Sequence, residues 1–138
     1  MKTLFKNIIL FIIFGAIYFG LECLWKGYLT HWSMFILAGM IGVIIGSINE
    51  CIDWKMPFWA QCVIGTVIAT LGEAITGLIV NILLGLNVWH YNILPFFWEQ
   101  CSVPFCCIWF FLSGVCIILD DIIRWKWFCE EKPHYYWR

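Results

Sequence analysis

The sequence predicts an all-α integral membrane protein: a four-helix bundle with both termini cytoplasmic and an aromatic outer loop between the third and fourth helices. Three observations predict it. Of the 138 residues, 63% are hydrophobic and only 12% charged, and the mean hydropathy is +0.88. An ordinary soluble domain is about 45–50% apolar and about 25% charged. Four runs each reach the roughly 20 apolar residues that a helix needs to cross the hydrocarbon. The basic residues lie almost wholly on one side of those runs. A net charge of −1 without a basic face excludes a nucleic-acid binder. The composition also excludes a disordered chain and leaves no room for a separate soluble enzyme domain.

The first run, Leu4 to Trp25, has Lys2 and Lys6 ahead of its apolar stretch, as a signal peptide would. Its apolar part is too long for one and no small-x-small cleavage pattern follows, so it is read as a span. A short outer loop, Lys26 to Trp32, leads to the second run, Ser33 to Ile52. A tight inner hairpin around Asp53 to Pro57 leads to the third, Phe58 to Leu86. The second outer loop, Asn87 to Ser102, holds Trp89, Tyr91, Phe96, Phe97 and Trp98 but no Lys or Arg. So apolar a loop is expected in the interface or folded back over the bundle. The fourth run is Val103 to Trp125, and the charged, aromatic tail after it resembles an interfacial anchor. With the N-terminus inside, Lys2, Lys6, Lys55, Arg124, Lys126, Lys132 and Arg138 are cytoplasmic, and only Lys26 is outside. That bias orients a multi-pass protein of the cell membrane. Residues 1–138 form one transmembrane domain without an internal repeat, and its first partner is the lipid bilayer.

Eight Cys invite disulfide or metal arithmetic, but no CxxC pair occurs. Most fall in or beside spans, where Cys acts as a small apolar residue. Cys23 and Cys101 alone lie near the outer face, so a bridge between them stays open. No metal site and no cofactor is expected. GxxxxGK[ST], HExxH and GxSxG are absent. If the protein serves an ATP-driven process, the ATPase is a separate partner subunit.

Intramembrane ionisable residues are functional candidates because they are costly. In the third run Thr66, Thr70, Glu73, Gly77 and Asn81 recur at helical spacing and share one face. Glu73 is about midway, where an acidic group costs about 2.5–3.5 kcal/mol. Every Lys and Arg lies outside or at the ends of the four runs, and His31, His90 and His134 lie in the loops or tail, so a proton, an ion, a cationic substrate or hydration must neutralise it. In the second run Ala38, Gly42 and Gly46 permit close packing, expected against the third span. Polar residues then fall in tiers. Glu22, Asn81, His31 and His90 are near the outer end, Glu73 is central, and Asn49, Glu50, Gln61, Asp120 and Asp121 are near the inner end. The candidate substrate-binding residues are Glu73, Glu22, Asn81, Asn49, Glu50 and His31. Asp120 and Asp121 are set aside because Arg124 is one turn away at a wet boundary.

Glu22-Cys23-x-Trp25, His31-Trp32-Ser33-Met34 and Gly46-x-x-Asn49-Glu50 resemble motifs of the type IV ABC-transporter family of small membrane proteins, also called CmpB-like. Glu73-x-x-x-Gly77-x-x-x-Asn81, Trp89-x-Tyr91, Pro95 and Gln100-Cys101 continue the resemblance in the same order. The second outer loop departs from the pattern, with His90 and Glu99 in place of an Asp and a Gly. The resemblance implies a multi-span membrane protein with a transport role, and supplies neither a substrate nor a coupling energy source.

Three functions fit these residues. The first is a transport-related protein, better built as a homo-oligomer than as one narrow bundle, that binds or conducts a small cation or polar solute at Glu73. The second is a membrane enzyme acting on a lipid-linked substrate, with Glu22, His31 and His90 as acid–base groups. The third is a non-catalytic subunit whose polar residues only fix helix packing.

Overall fold

The computed structural model describes residues 2–52, 55–89, 91–96 and 100–135. Four helices in it are long and apolar enough to cross a membrane: Lys2–Lys26, Trp32–Cys51, Phe58–Leu83 and Val103–Trp127. Helix α1 (Lys2–Lys26) ends where Gly27 takes a positive φ of 76° and its N–H returns to the Cys23 carbonyl. Helix α2 (Trp32–Gly46) starts at an N-cap, His31, whose side chain accepts from the Ser33 N–H. The sequence predicts one unbroken second helix, but the structure breaks it at Ser47 and resumes it as α3 (Ile48–Cys51). At the break both the Ser47 N–H and its Oγ–H donate to the Val43 carbonyl, a side-chain bond that can bend a helix.

Helix α4 (Phe58–Gly77) follows Pro57, which has no N–H to leave unpaired at a helix start. It does not continue regularly to Leu86. From Leu78–Leu83 it widens into a π-helix, and Gly85 at a φ of 66° turns the chain away. Two short antiparallel strands follow, β1 (Pro95–Phe96) and β2 (Cys101–Ser102). Helix α5 (Val103–Trp127) has Pro104 in its first turn, where no N–H is needed, and Arg124 and Lys126 in its last, which suits the dipole at that end.

Burial decides which helix is central. In its most apolar stretch α2 is 56% buried and α1 only 17%. Helix α2 is apolar all round, as an inner helix must be. Its Leu37, Ile41 and Ile45 pack with Cys62 and Ala69 of α4 and Trp109 and Ile117 of α5. Helix α1 lies against α2 and joins α5 through Leu10, Phe14 and Ile123. It turns Leu4, Phe5, Ile8, Ile12, Ile17 and Leu21 outward, a surface that only lipid or another apolar surface covers favourably.

The small-residue stripe of α2 is buried, but its partners differ from the expected third span. A Cβ on Gly42 would lie 2.5 Å from Phe14 Cβ on α1, and one on Gly46 would strike Asp120 on α5. The contact with α4 comes instead from Gly72, whose Cβ would meet Ile41. A glycine stripe fixes close approach but not which helix makes it, and here two helices share it.

Candidate functional site

Buried polar residues collect at two ends of the bundle. On α4 the buried stripe runs Gln61, Cys62, Gly65, Ala69, Glu73 and Gly77, and ends at Asn81 in the π turn. Thr66 and Thr70 lie at its edge. The Thr66 Oγ–H is satisfied by the Cys62 carbonyl of its own helix.

Glu73 is 4% exposed. Its partner comes from the connection after the helix: the Tyr91 hydroxyl donates to Glu73 Oε1 at 2.8 Å. Burial, then the Glu73 charge, pushes the Tyr91 ionisation upward, so this donor keeps its proton. The Trp109 indole also faces this carboxyl, yet its buried Nε1–H makes no hydrogen bond of good geometry. Tyr18 of α1 stacks on Trp109, with ring centroids 5.8 Å apart, and its hydroxyl faces both Glu22 and Glu73. Among the described residues, no Lys, Arg or His is within salt-bridge distance of Glu73. Lys26 is committed elsewhere. It pairs with Glu22 at 3.2 Å and donates to Thr30 Oγ1 and the Val88 carbonyl.

Asn81 has a different task. Its Oδ1 accepts from the Val88 and Trp89 N–H groups, and its Nδ2 donates to Gln100 Oε1 at 2.5 Å. Trp89 Nε1–H donates to the Gln100 carbonyl. Gly77 leaves the space that Gln100 fills, since a Cβ there would be 2.5 Å from Gln100 Oε1. Asn81 thus pins the connection over Glu73 and presents Tyr91 to it. His31 is used as the cap of α2, with Nδ1 2.7 Å from Ser33 Oγ. His90 and Glu99 lie outside the described residues. All eight cysteines are free. Cys23 Sγ accepts from the Thr30 N–H and Cys101 Sγ–H donates to the Thr70 carbonyl, so the bridge left open from the sequence is not formed.

The second group lies where the start of α1 meets the tail, since Lys6 pairs with Glu130. Asn49 Nδ2 donates to Asp121 Oδ2 at 2.8 Å, and the Tyr135 hydroxyl donates to the same oxygen at 2.8 Å. Arg124 Nε–H donates to Asp120 Oδ2 at 2.7 Å, and its other nitrogens reach Asn7 and Glu130. Glu50 is exposed at the rim. Asp120 and Asp121, set aside at the level of sequence, are 0% and 2% exposed and belong to the centre of this group. Tyr18, Tyr91, Trp109 and Tyr135 were missed as well. Their aromatic rings read as lipid or core anchors, and only a fold can show where each polar tip points.

Between the groups the bundle is apolar. Ile45, Cys62 and Ile117 are each at most 3% exposed. Ser113 is the last polar residue of α5 before Asp120, and seven residues of helix span about 10 Å. Comparison of the chain with known proteins matches no family model, no curated protein and no solved structure.

Proposed function

We propose that the chain is a multi-pass cell-membrane protein that binds a small cation, in the simplest case a proton, at Glu73 and passes it across the bilayer. One observation carries this reading. A carboxyl on a membrane-length apolar helix is 4% exposed, and among the described residues it has hydroxyl help but no cationic partner. Such a group needs its charge cancelled, and a transported cation or proton does that. The basic-residue bias supports cytoplasmic termini. In that orientation Glu22 and the Asn81-anchored connection lie on the outer side, and Asn49 and Glu50 on the inner side.

Ile45, Cys62 and Ile117 form part of a buried apolar cluster between the two polar groups, so in this reading passage takes a helix movement, the general behaviour of hydrophobic constrictions. The outward face of α1 supplies a large apolar surface for a second copy, and a homo-oligomer would widen the path. A separate partner subunit is the alternative source of both width and energy. The resemblance to the CmpB-like family agrees with a transport role. The capping duty of His31 speaks against the enzyme reading, which needs that side chain as an acid or base. Reconstitution in liposomes tests the proposal. An imposed potential should drive saturable proton or Na⁺ entry above that of protein-free liposomes, and entry no faster than in those controls would overturn it.

A further inference from the structure

We propose that the cation taken up at Glu73 is the proton itself, and that the Tyr18 hydroxyl carries it there from Glu22. This deepens the proposed function, and rests on it for the onward passage past Glu73. The transfer between the two carboxyls needs no such passage.

Tyr18 and Glu22 are one turn apart on α1, so their side chains share a face. The Tyr18 ring lies nearly parallel to Trp109 of α5, at an interplanar angle of 11° with centroids 5.8 Å apart. Trp109 is 8% exposed and turns its indole toward the Glu73 carboxyl. The stack therefore holds the Tyr18 hydroxyl beside the Glu73 site. That hydroxyl lies within hydrogen-bonding reach of Glu22, and it also faces Glu73 and Tyr91. It is the hydroxyl that stands between the two carboxyls.

The connection covers the other approach. Asn81 holds Val88, Trp89 and Gln100 over the outer end of α4, and Tyr91 bonds Glu73 from that side. A path through the end of α4 would have to break these bonds, and a path past Tyr18 leaves them in place. Glu22 starts that path with 16% of its side chain still exposed, next to Lys26.

The groups around Glu73 suit a proton rather than a metal cation. The Tyr91 hydroxyl donates to the carboxyl, and the indole of Trp109, a donor with no acceptor to offer, faces it. A hard metal ion would meet hydrogens where it needs oxygen ligands. Among the described residues no three His, Cys, Asp or Glu side chains are placed to share such an ion. Donors hold the carboxylate that remains when a proton leaves. In the transfer, protonated Glu22 gives its proton to the Tyr18 oxygen while Tyr18 gives its own to Glu73, directly or through one water. One O–H bond forms and one breaks at Tyr18, which stays neutral. Glu22 ends as a carboxylate paired with Lys26 at 3.2 Å, and Glu73 ends as an acid that needs no cationic partner. Rotation about the tyrosine C–O bond resets the hydroxyl.

The test uses the full chain in liposomes and follows, after a drop in pH, the carboxylic acid C=O stretch that Glu73→Gln removes from the infrared spectrum. Tyr18→Phe keeps the ring on Trp109 and loses the hydroxyl. It should slow the appearance of that band about tenfold or more, the lower range for losing a proton-transfer group, while the final band height and the Tm stay as in wild type. Glu22→Gln should slow it as well, and stays informative if Tyr18→Phe does not fold. Proton uptake should fall in parallel, and wild type should take up no Na⁺ beyond protein-free liposomes. A wild-type rate in folded Tyr18→Phe or in Glu22→Gln would overturn the proposal. A slower rate with a lower final height or Tm would show a brace between helices and overturn it too, as would the absence of any band that Glu73→Gln removes. Na⁺ uptake without proton uptake would sink the proton but not the proposed function. Slowed protonation in the variants, with no flux of either ion in wild type, would sink the proposed function alone.

Discussion

Single residues in this bundle were legible by type and not by partner. Glu73 stood out because it interrupts an apolar run, and the structure buries it. The source of its hydrogen bond, Tyr91, is 18 positions away in a connection that sequence periodicity does not describe. Asn81 shared the face of Glu73 by spacing but turns out to hold the connection in place. Asp120 and Asp121 look solvated beside Arg124, yet α3 and the tail close over them. Tyr91→Phe removes the donor to Glu73 while keeping the ring that packs on Phe105. It should lower stability by about 1–2 kcal/mol, between the values for neutral and charged hydrogen bonds. The sign of its pH dependence follows from the upward push on the Tyr91 ionisation. A tyrosine raised in the folded state contributes fully below its ordinary value of about 10 and loses the contribution as pH rises through the folded value. The part of the Tm difference between wild type and Tyr91→Phe that comes from the tyrosine's own ionisation should therefore shrink as pH rises above about 10.

Elements were legible where length and apolarity define them. All four runs became helices with ends within a few residues of those read from the sequence. What escaped was irregular. The break falls at Ser47, whose hydroxyl bonds its own helix carbonyl, and the π turn at 78–83 holds Asn81, which bonds the connection that follows; hydropathy and length carry neither. Helix partners also escaped, because small residues advertise closeness in any direction. Gly42 is one of three glycines, with Gly15 and Gly39, that allow the close α1–α2 contact. Gly42→Leu should drive side-chain atoms into Phe14 and destabilise the bundle by about 1–3 kcal/mol, as overpacking of a filled contact does. Thermal or denaturant unfolding in detergent measures it. Unchanged stability would mean that α1 is free to move away from α2.

For the whole molecule, the proposed orientation, with both termini cytoplasmic, rests on the distribution of basic residues and on no single contact. Single cysteines introduced at Thr3 and Lys132 in a cysteine-free background should resist an impermeant thiol reagent in intact cells and react once the membrane is opened. Labelling of both in intact cells would reverse the orientation and exchange the outer and inner roles of Glu22 and Asn49.

The proposed cation handling turns on Glu73 more than on any other group. The decisive measurement compares wild type and Glu73→Gln twice, by unfolding in detergent and by proton and Na⁺ uptake into liposomes under an imposed potential. Gln keeps the size of the side chain and an oxygen for the Tyr91 hydroxyl, but it can carry neither a proton nor a charge. The expected result is a variant that unfolds within about 1 kcal/mol of wild type, the scale of one neutral hydrogen bond, and whose uptake falls to the level of protein-free liposomes. A well-folded Glu73→Gln protein that moves cations at the wild-type rate would contradict it, and would leave Glu73 as a brace between helices.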